Sequence, residues 1–361
     1  PLQFPAPDRS IRYLSTDTRR ITFPDESLFI ALPGPRRDGH DFLKEAYQAG
    51  IRNMLISRKV SPNDFPHCNL FTVPDTLQAL QQLAAHHRRR FDLPVIGITG
   101  SNGKTIVKEW LFQLLQADYH IVRSPRSYNS QIGVPLSIWN IRNSHTLGLF
   151  EAGISRKGEM EKLSGILRCD IGIFTNLGAA HDEGFASRQE KLREKCRLFD
   201  PAKTIIFCRD QPGVEEELRK RKSARLFSWS MHRAADLRIT HCQSEGGHTH
   251  LRGQYDGREV GIHIPFSGHA AVENAIHCWA ALLLLGCSDE HIRERMEALE
   301  PVAMRLELKA GLYGSRLIND SYNSDLNGLE IALDFLQQHA PSQARVLILS
   351  DLLQSGLERE D

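Results

Sequence analysis

The residues with the clearest chemical potential form a short turn, Gly100-Ser101-Asn102-Gly103-Lys104-Thr105, after the apolar run Val95–Thr99. A strand that leads through such a turn into a helix can bind an anion, because glycines let backbone N–H groups converge on phosphate oxygens and the helix dipole favours negative charge. Lys104 would add a mobile positive charge, and Thr105 a hydroxyl for Mg²⁺. The longer spacing G-x-x-x-x-G-K-[ST] is not met, since position 98 is Ile. An ordinary strand-to-helix turn is therefore the alternative to a nucleotide loop.

Polar side chains also follow two later apolar runs. Glu151 comes after the run Leu147–Phe150, and Asn176 and His181 follow the run Ile171–Thr175. Ligands of open parallel sheets bind at the carboxyl edge of the strands, so these side chains could reach a phosphate loop at that edge. From residue type alone, a capping or surface role for Glu151 and a core or surface role for His181 stay open.

The elements that must position these residues alternate between strand and helix. Apolar runs predict strands at 95–99, 147–150, 171–175 and 204–208, with helices at about 105–117, 157–167 and 187–198. This alternation predicts an α/β fold with a mostly parallel sheet and crossover helices. Short alternating runs from about 225 to 265 predict a β-rich addition at the sheet edge, and helices follow at 270–285 and 288–299.

Two smaller units flank this region. Residues 1–90 are typical of a small α/β domain, with a strand at 27–32, a helix at 41–49 and a strand at 51–56. After Pro301 the pattern predicts strands at 306–309, 316–319 and 346–349 and a helix at 325–338. The chain is too long for one ordinary core. We therefore predict three domains, at 1–90, 91–300 and 301–361, the last being only the start of a truncated domain.

Composition limits the class of protein. Lys and Arg number 45 against 44 Asp and Glu, so a net charge of +1 gives no global attraction to nucleic acid or to an acidic membrane surface. The 7 cysteines are scattered without a C-x-x-C pair, which favours reduced thiols in the cytosol over a disulfide framework or a zinc site. No apolar run reaches the roughly 18 residues of a membrane span. We expect a cytoplasmic protein without membrane insertion.

In this order, the motifs resemble the Mur ligase family, and within it the members that add D-alanyl-D-alanine. The turn at Gly100 is similar to the family's T-G-S-N-G-K-T loop, the segment at Glu151 to its E-x-G strand end, and the segment from Asn176 to N-L-G-x-A-H-L-E-G-F. Lys195 falls where the family carries a carbamylated lysine in A-K-G-E-I-F. The resemblance covers almost the whole chain and implies a three-domain architecture with a Rossmann-like C-terminal domain.

Further segments extend the resemblance to substrate and nucleotide contacts. Residues 15–20, which contain Thr18 and Arg19, together with 38–42 resemble the family's UDP-binding opening, and Thr18 replaces its usual Ser. Residues 128–136, which contain Asn129 and Gln131, resemble the N-x-x-I-G-x-P-L segment that meets the muramoyl substrate. The remaining matches are to an adenine-contacting segment and to two elements of the third domain, through Asn274, Arg305 and Asp320.

The resemblance implies ATP-dependent ligation of D-alanyl-D-alanine to UDP-N-acetylmuramoyl tripeptide through an acyl phosphate, in peptidoglycan precursor synthesis. It implies that Lys104 neutralises the β- and γ-phosphates and that Thr105 and Glu151 hold one Mg²⁺. His181 and carbamylated Lys195 would hold a second. The implied protein is a cytoplasmic monomer. The dipeptide Asp325-Leu326, in place of Asn-Pro, is similar to versions fused to an alanine racemase domain.

Three other functions stay open at this point. The first keeps the superfamily but changes the substrate, as in a MurE-type ligase or a folylpolyglutamate synthase. The second is a P-loop kinase or GTPase, which the loop alone suggests, although the chain lacks the N/T-K-x-D guanine motif. The third is a truncated module that binds UDP-muramoyl peptide or ATP without turnover.

Overall fold

The computed structural model describes residues 10–34, 37–178, 184–303 and 307–321, together with 329, 332–333, 335–337 and 344–349. The strands of these residues are β1 (Tyr13–Ser15), β2 (Ser27–Ile30), β3 (Asn53–Ile56), β4 (Asn69–Thr72), β5 (Val95–Thr99), β6 (Ile121–Arg123), β7 (Leu147–Glu151), β8 (Ile171–Phe174), β9 (Thr204–Cys208), β10 (Arg225–Ser230), β11 (Leu237–Glu245), β12 (His248–Tyr255), β13 (Arg258–Ile264), β14 (Glu307–Ala310) and β15 (Arg316–Asn319). The α-helices are α1 (Leu43–Gln48), α2 (Thr76–Arg88), α3 (Lys104–Leu115), α4 (Gly133–Ile138), α5 (Glu159–Leu167), α6 (Arg188–Cys196), α7 (Val214–Leu218), α8 (His269–Leu284) and α9 (Asp289–Glu297).

The first sheet is small and parallel, in the order β1-β2-β3-β4. Its two inner strands are buried along their whole length because apolar side chains cover both faces. On one face Phe29 and Met54 pack with α1, and on the other Ile30 and Leu55 pack with Leu80 of α2. The sequence predicted this unit, although the helix expected at 41–49 begins as a 3-10 turn at Gly39–Phe42.

The central sheet has the order β13-β12-β11-β10-β9-β8-β5-β7-β6. Neighbouring strands from β6 to β11 are parallel, whereas β12 and β13 are antiparallel additions at the edge. The predicted mostly parallel sheet with a β-rich edge is therefore confirmed. Because β5 lies between β7 and β8, the segments that follow these three strands meet at one edge of the sheet.

Helices cover both faces of the central sheet. One hydrophobic cluster joins the sheet to α3, α8 and α9, and a second joins it to α4, α5, α6 and α7. Helix α2 belongs to both units, since Leu80 packs on the first sheet while Ala84 packs in the second cluster. Arg88, at the end of α2, is buried and donates to the carbonyls of Phe91, Leu93 and Leu167. The helix thus fixes the first unit against the central one.

The two strands β14 and β15 pair as an antiparallel hairpin, and both were predicted from the sequence. The strand predicted at 346–349 is wrong: residues 344–349 have no regular secondary structure and their apolar side chains are exposed. An apolar run forms a strand only where a neighbour satisfies its backbone groups, which local pattern does not report. Of the helix predicted at 325–338, residues 329, 332–333 and 335–337 are helical and 322–328 lie outside the described residues. Within the described part of the chain, each helix is too short or too polar to cross a membrane.

Candidate nucleotide and metal site

The turn between β5 and α3 requires glycine at two positions. Gly103 has φ +81°, and a Cβ there would lie 2.2 Å from Asn274 Oδ1. A Cβ at Gly100 would lie 2.0 Å from Thr175 Oγ1. The residues that crowd the turn come from β8's end and from α8, so two distant segments press against the loop. Only glycine allows so close an approach of neighbouring groups to the backbone of the turn.

The side chain of Lys104 lies over this turn. Its Nζ donates to Gly100 O at 2.9 Å and to Ser101 O at 2.7 Å. Asn102 Nδ2 in the same turn is buried and has no hydrogen-bond partner among the described residues. A buried amide donor without an acceptor costs about 1–3 kcal/mol, so an acceptor supplied by a ligand suits this position. The loop therefore fits the polyphosphate of a nucleotide.

Asn176 shapes the loop from the end of β8. Its side-chain oxygen accepts the backbone N–H of Asn102 at 2.9 Å, and its carbonyl accepts the N–H of Ser101 at 2.8 Å. Next to it, Thr175 Oγ1 donates to Asn102 O at 2.6 Å. The sequence predicted Asn176 as a nucleotide ligand, and the structure gives it contacts to the loop that would bind the nucleotide.

Glu151 ends β7 directly beside the loop. Its Oε2 accepts from Thr105 Oγ1 at 3.1 Å and from Asn129 Nδ2 at 3.3 Å, while Ser127 Oγ lies 2.8 Å from Thr105 Oγ1. The Glu151 side chain is wholly buried, and its Oε1 lies 3.0 Å from the ammonium of Lys108. Carboxylate and hydroxyl oxygens are the ligands that Mg²⁺ prefers. These donors fit a magnesium ion shared with a nucleotide phosphate.

No group of three His, Cys, Asp or Glu side chains among the described residues is spaced to hold a metal by itself. Mg²⁺ in nucleotide sites takes one or two carboxylates and completes its shell with water and phosphate. One carboxylate beside Thr105, that of Glu151, is therefore enough as the protein's contribution to the ligands of such an ion. His181, predicted as a ligand of the second metal ion, lies outside the described residues, as does Arg305.

Lys195 reaches the same loop from α6. It is 1% exposed, and its Nζ donates to Gly100 O at 3.1 Å. Lys191, one turn earlier, is also buried and donates to Gly178 O. Lys195 is thus a buried lysine and not an exposed one on the helix surface. The sequence of α6 is strongly polar, and polarity alone gave no sign that these two lysines point inward.

The predicted substrate residues occupy two places. Thr18 and Arg19 lie in the first unit, where Thr18 is half-buried and Arg19 is exposed; Thr18 Oγ1 donates to Glu45, and Arg19 pairs with Asp17 at 2.7 Å. That guanidinium, through its hydrogen bond, holds the pKa of the Asp17 carboxyl down at about 2. The remaining N–H groups of the Arg19 guanidinium thus face solvent.

Asn129 and Gln131 lie nearer the loop. Asn129 contacts Glu151, as described above. Gln131 accepts from Gln81 of α2 at 3.0 Å and donates to Glu159 O at 3.1 Å, so it connects the first unit to the central one. Asp320 follows β15, and Asn274 lies against Gly103.

Several residues that shape the site were missed from the sequence. They are Lys108, Ser127, Thr175 and His277. His277 Nε2 donates to Thr175 O at 3.0 Å, and burial lowers the pKa of His277 to about 4. Of these four residues, only Lys108 could have been suspected from the sequence, because it stands four residues after Lys104 and so shares its face of the helix.

Comparison with known proteins identifies the family. The model of the Mur ligase middle domain matches residues 98–282, so the chain belongs to the Mur ligase family. The UDP-N-acetylmuramoyl-tripeptide--D-alanyl-D-alanine ligase of Bacillus subtilis (strain 168) is 30% identical over 349 residues, which are 96% of this chain and 74% of the relative. The ligase of the same name from Treponema pallidum (strain Nichols) is 31% identical over 360 residues, 95% of this chain and 75% of the relative.

A solved structure has the same fold. The crystal structure of MurF from Acinetobacter baumannii superposes with a TM-score of 0.82 at 26% identity and covers 91% of this chain and 71% of its own. The expected family and α/β architecture are therefore confirmed. The chain spans about three quarters of the length of these relatives.

Proposed function

We propose that this chain is an ATP-dependent ligase that joins D-alanyl-D-alanine to UDP-N-acetylmuramoyl tripeptide in peptidoglycan precursor synthesis. The two relatives reported above carry this reaction in their names, and they match more than nine tenths of the chain. The observation that carries the proposal is local: Thr105, Glu151 and Lys195 come from three distant segments and meet at one loop. A family resemblance without that meeting would support only the fold.

The chemistry needs activation, because a carboxylate is a poor electrophile. An oxygen of the tripeptide carboxylate attacks the γ-phosphorus of ATP, the bond to the β-phosphate oxygen breaks, and an acyl phosphate and ADP form. The amine of D-alanyl-D-alanine then attacks the acyl carbon, and phosphate leaves as the amine loses a proton. Such phosphoryl transfer depends mostly on positioning and charge neutralisation. Lys104 and the N–H groups at the start of α3 would supply both.

Two metal positions belong to this proposal. Thr105 and Glu151 would hold one Mg²⁺, and Lys195, as a carbamate, would hold a second together with His181. When bound, such ions neutralise the charge on the phosphate oxygens. An ammonium cannot ligate Mg²⁺, but carbamylation would turn the buried stem of Lys195 into a carboxylate beside Gly100.

The remaining parts of the proposal concern the ends of the substrates. Thr18 and Arg19 would hold the UDP end, Asn129 and Gln131 the muramoyl part, and Asn274, Arg305 and Asp320 the nucleotide. The domains would be 1–90, 91–300 and 301–361, with closure of the third over the second to exclude water from the acyl phosphate. We further propose a cytoplasmic monomer. A racemase fusion stays a prediction from Asp325-Leu326.

Phosphate release with both substrates present tests the proposal. Turnover should require ATP, UDP-N-acetylmuramoyl tripeptide and D-alanyl-D-alanine together, and Lys104→Ala should abolish it while the UDP substrate still binds by calorimetry. A preference for a single amino acid as acceptor would instead indicate a MurE-type or folylpolyglutamate synthase-type ligase. Binding of both ligands without turnover would indicate a binding-only module. Near-normal ligation by Lys104→Ala would refute the site.

A further inference from the structure

Lys108 is a buried cation in the unit built around the central sheet. It stands on α3 and is wholly buried, and every partner of its Nζ is an oxygen atom. The ammonium lies 3.0 Å from Glu109 Oε1 and 3.0 Å from Glu151 Oε1, donates to Ser124 O at 2.7 Å and also donates to Arg126 O. A buried charge is tolerated only where it is paired and hydrogen-bonded, and this environment satisfies both conditions.

The two oxygens of the Glu151 carboxylate have different partners. Oε1 forms an ion pair with Lys108 and accepts no hydrogen bond from the described residues. Oε2 instead accepts from Thr105 and Asn129 on the side of the nucleotide loop. Removing the cation would free Oε1 to seek another donor, and the carboxylate could then rotate away from Thr105.

Lys108 also holds the segment that borders the site. Its bonds to Ser124 O and Arg126 O fix a turn in which Arg126 has φ +51°, an unfavourable conformation for a residue other than glycine. Immediately afterwards the chain supplies Ser127, which contacts Thr105 Oγ1. One ammonium thus restrains both the acid and the neighbour of the hydroxyl that would bind the metal.

We propose that Lys108 is a positioning residue that aims Glu151 Oε2 at the nucleotide-bound Mg²⁺ and so sets the metal affinity of the site. This inference rests on the proposed function, because it requires that Thr105 and Glu151 receive MgATP. Lys108 itself touches neither substrate nor metal. Its effect is therefore expected in the Mg²⁺ dependence of nucleotide binding, whereas a merely structural ion pair would affect stability alone.

The test measures binding of ATP to the full chain by calorimetry at increasing Mg²⁺ concentrations, without the other substrates. Lys108→Met keeps an unbranched side chain, one atom shorter, and removes its charge. It should raise the Mg²⁺ concentration for half-maximal effect by about 10- to 100-fold, as loss of an outer-shell partner does. Lys108→Arg keeps the charge but cannot place one nitrogen among four oxygens. It should fold if Lys108→Met does not, and it should raise the same Mg²⁺ concentration by about 10-fold, the lower end of the range for an outer-shell change.

Arg88→Met is the matched control, because Arg88 is a buried cation bonded to three carbonyls away from the loop. It should lower the melting temperature and leave the Mg²⁺ dependence unchanged. A wild-type Mg²⁺ dependence in whichever Lys108 variant folds would overturn the inference. If the wild-type chain itself binds ATP with no response to Mg²⁺, the proposed function fails first, and the role of Lys108 fails with it.

Discussion

Thr105 Oγ1 lies 3.1 Å from Glu151 Oε2, although 46 residues separate the two in the chain. Adjacent parallel strands bring them together: Ile98 on β5 pairs with Glu151 on β7, and Thr105 stands one residue into the helix that follows β5. The acid therefore lies beside the start of the helix that would receive the phosphates. This relationship makes the loop a candidate for metal-assisted phosphoryl transfer and not merely an anion site.

Glu151→Gln should distinguish the effect of the negative charge from the effect of the side chain's size and hydrogen bonding. The amide oxygen can still accept from Thr105, but the negative charge that would attract Mg²⁺ is gone, and Lys108 loses a buried counter-charge. We expect turnover to fall by about 100-fold or more, as for other lost electrostatic contacts to a transition state, and stability to fall as well. The measurement is phosphate release at saturating substrates.

Glu161→Gln is the matched control for that change, since the exposed Glu161 pairs with Arg197 at 2.8 Å on the surface. Surface pairs contribute little, so this variant should keep both turnover and stability within small margins. Undiminished turnover in Glu151→Gln, measured on folded protein, would remove Glu151 from the metal site.

Much of this site was predictable because strand ends in a parallel sheet share an edge. The loop at Gly100, the acid at Glu151 and the polar segment at Asn176 each follow an apolar run, and local sequence reports such runs well. The inward direction of Lys108 and Lys195 was not predictable in the same way. A lysine is usually exposed, and only tertiary contacts from α3 and α6 show that oxygen atoms surround each amine. Family resemblance, not residue type, selected Lys195.

Gly103→Ala should damage the loop more than a backbone penalty alone would. Alanine at φ +81° costs about 1–2 kcal/mol, and its Cβ would also collide with Asn274 Oδ1. We expect loss of measurable ATP binding in calorimetry together with a lower melting temperature. Gly257→Ala provides the comparison, because Gly257 has φ +73° and no described atom lies within 4 Å of the position that a Cβ would take there. Gly257→Ala should be destabilised by a similar backbone penalty and should keep its ATP affinity. Equal ATP affinity in the two variants would argue against crowding at Gly103.

Carbamylation of Lys195 predicts a dependence on dissolved CO₂. The amine nitrogen would attack the carbon of CO₂ and lose a proton, which leaves a carbamate on the buried stem. Turnover should fall in CO₂-free buffer and recover with bicarbonate, and ¹³C-labelled bicarbonate should give a carbamate signal by NMR. Lys195→Gln should be slow under both conditions, while Lys162→Gln, at an exposed helix position, should behave as the wild type. Turnover indifferent to CO₂ would contradict the modification.

Because His277 is buried and neutral, we expect the central unit to lose stability at acid pH. The neutral ring donates from Nε2 to Thr175 O and accepts at Nδ1 from Trp229 Nε1 at 3.1 Å, so a second proton would break the contact with Trp229. Burial lowers its pKa from 6.5 to about 4 in the folded chain. Between these values the unfolded chain binds the proton and the folded chain does not, so the free energy of unfolding falls as pH falls through this window. The contribution of this one residue is on the order of 3 kcal/mol.

Urea denaturation at pH 7.5 and pH 5 measures this loss. In His277→Gln, whose amide can still donate to Thr175 O but does not titrate, the decrease in denaturation midpoint between the two pH values should be smaller than in the wild type. Some decrease should persist, because burial also lowers the pKa of His87 and His145. His232→Gln replaces an exposed histidine and should keep the full wild-type decrease. Since Thr175 also holds Asn102 in the nucleotide loop, ATP affinity should weaken over the same pH interval in the wild type, and less so in His277→Gln. Equal pH dependence in all three proteins would show that His277 is not the group that titrates.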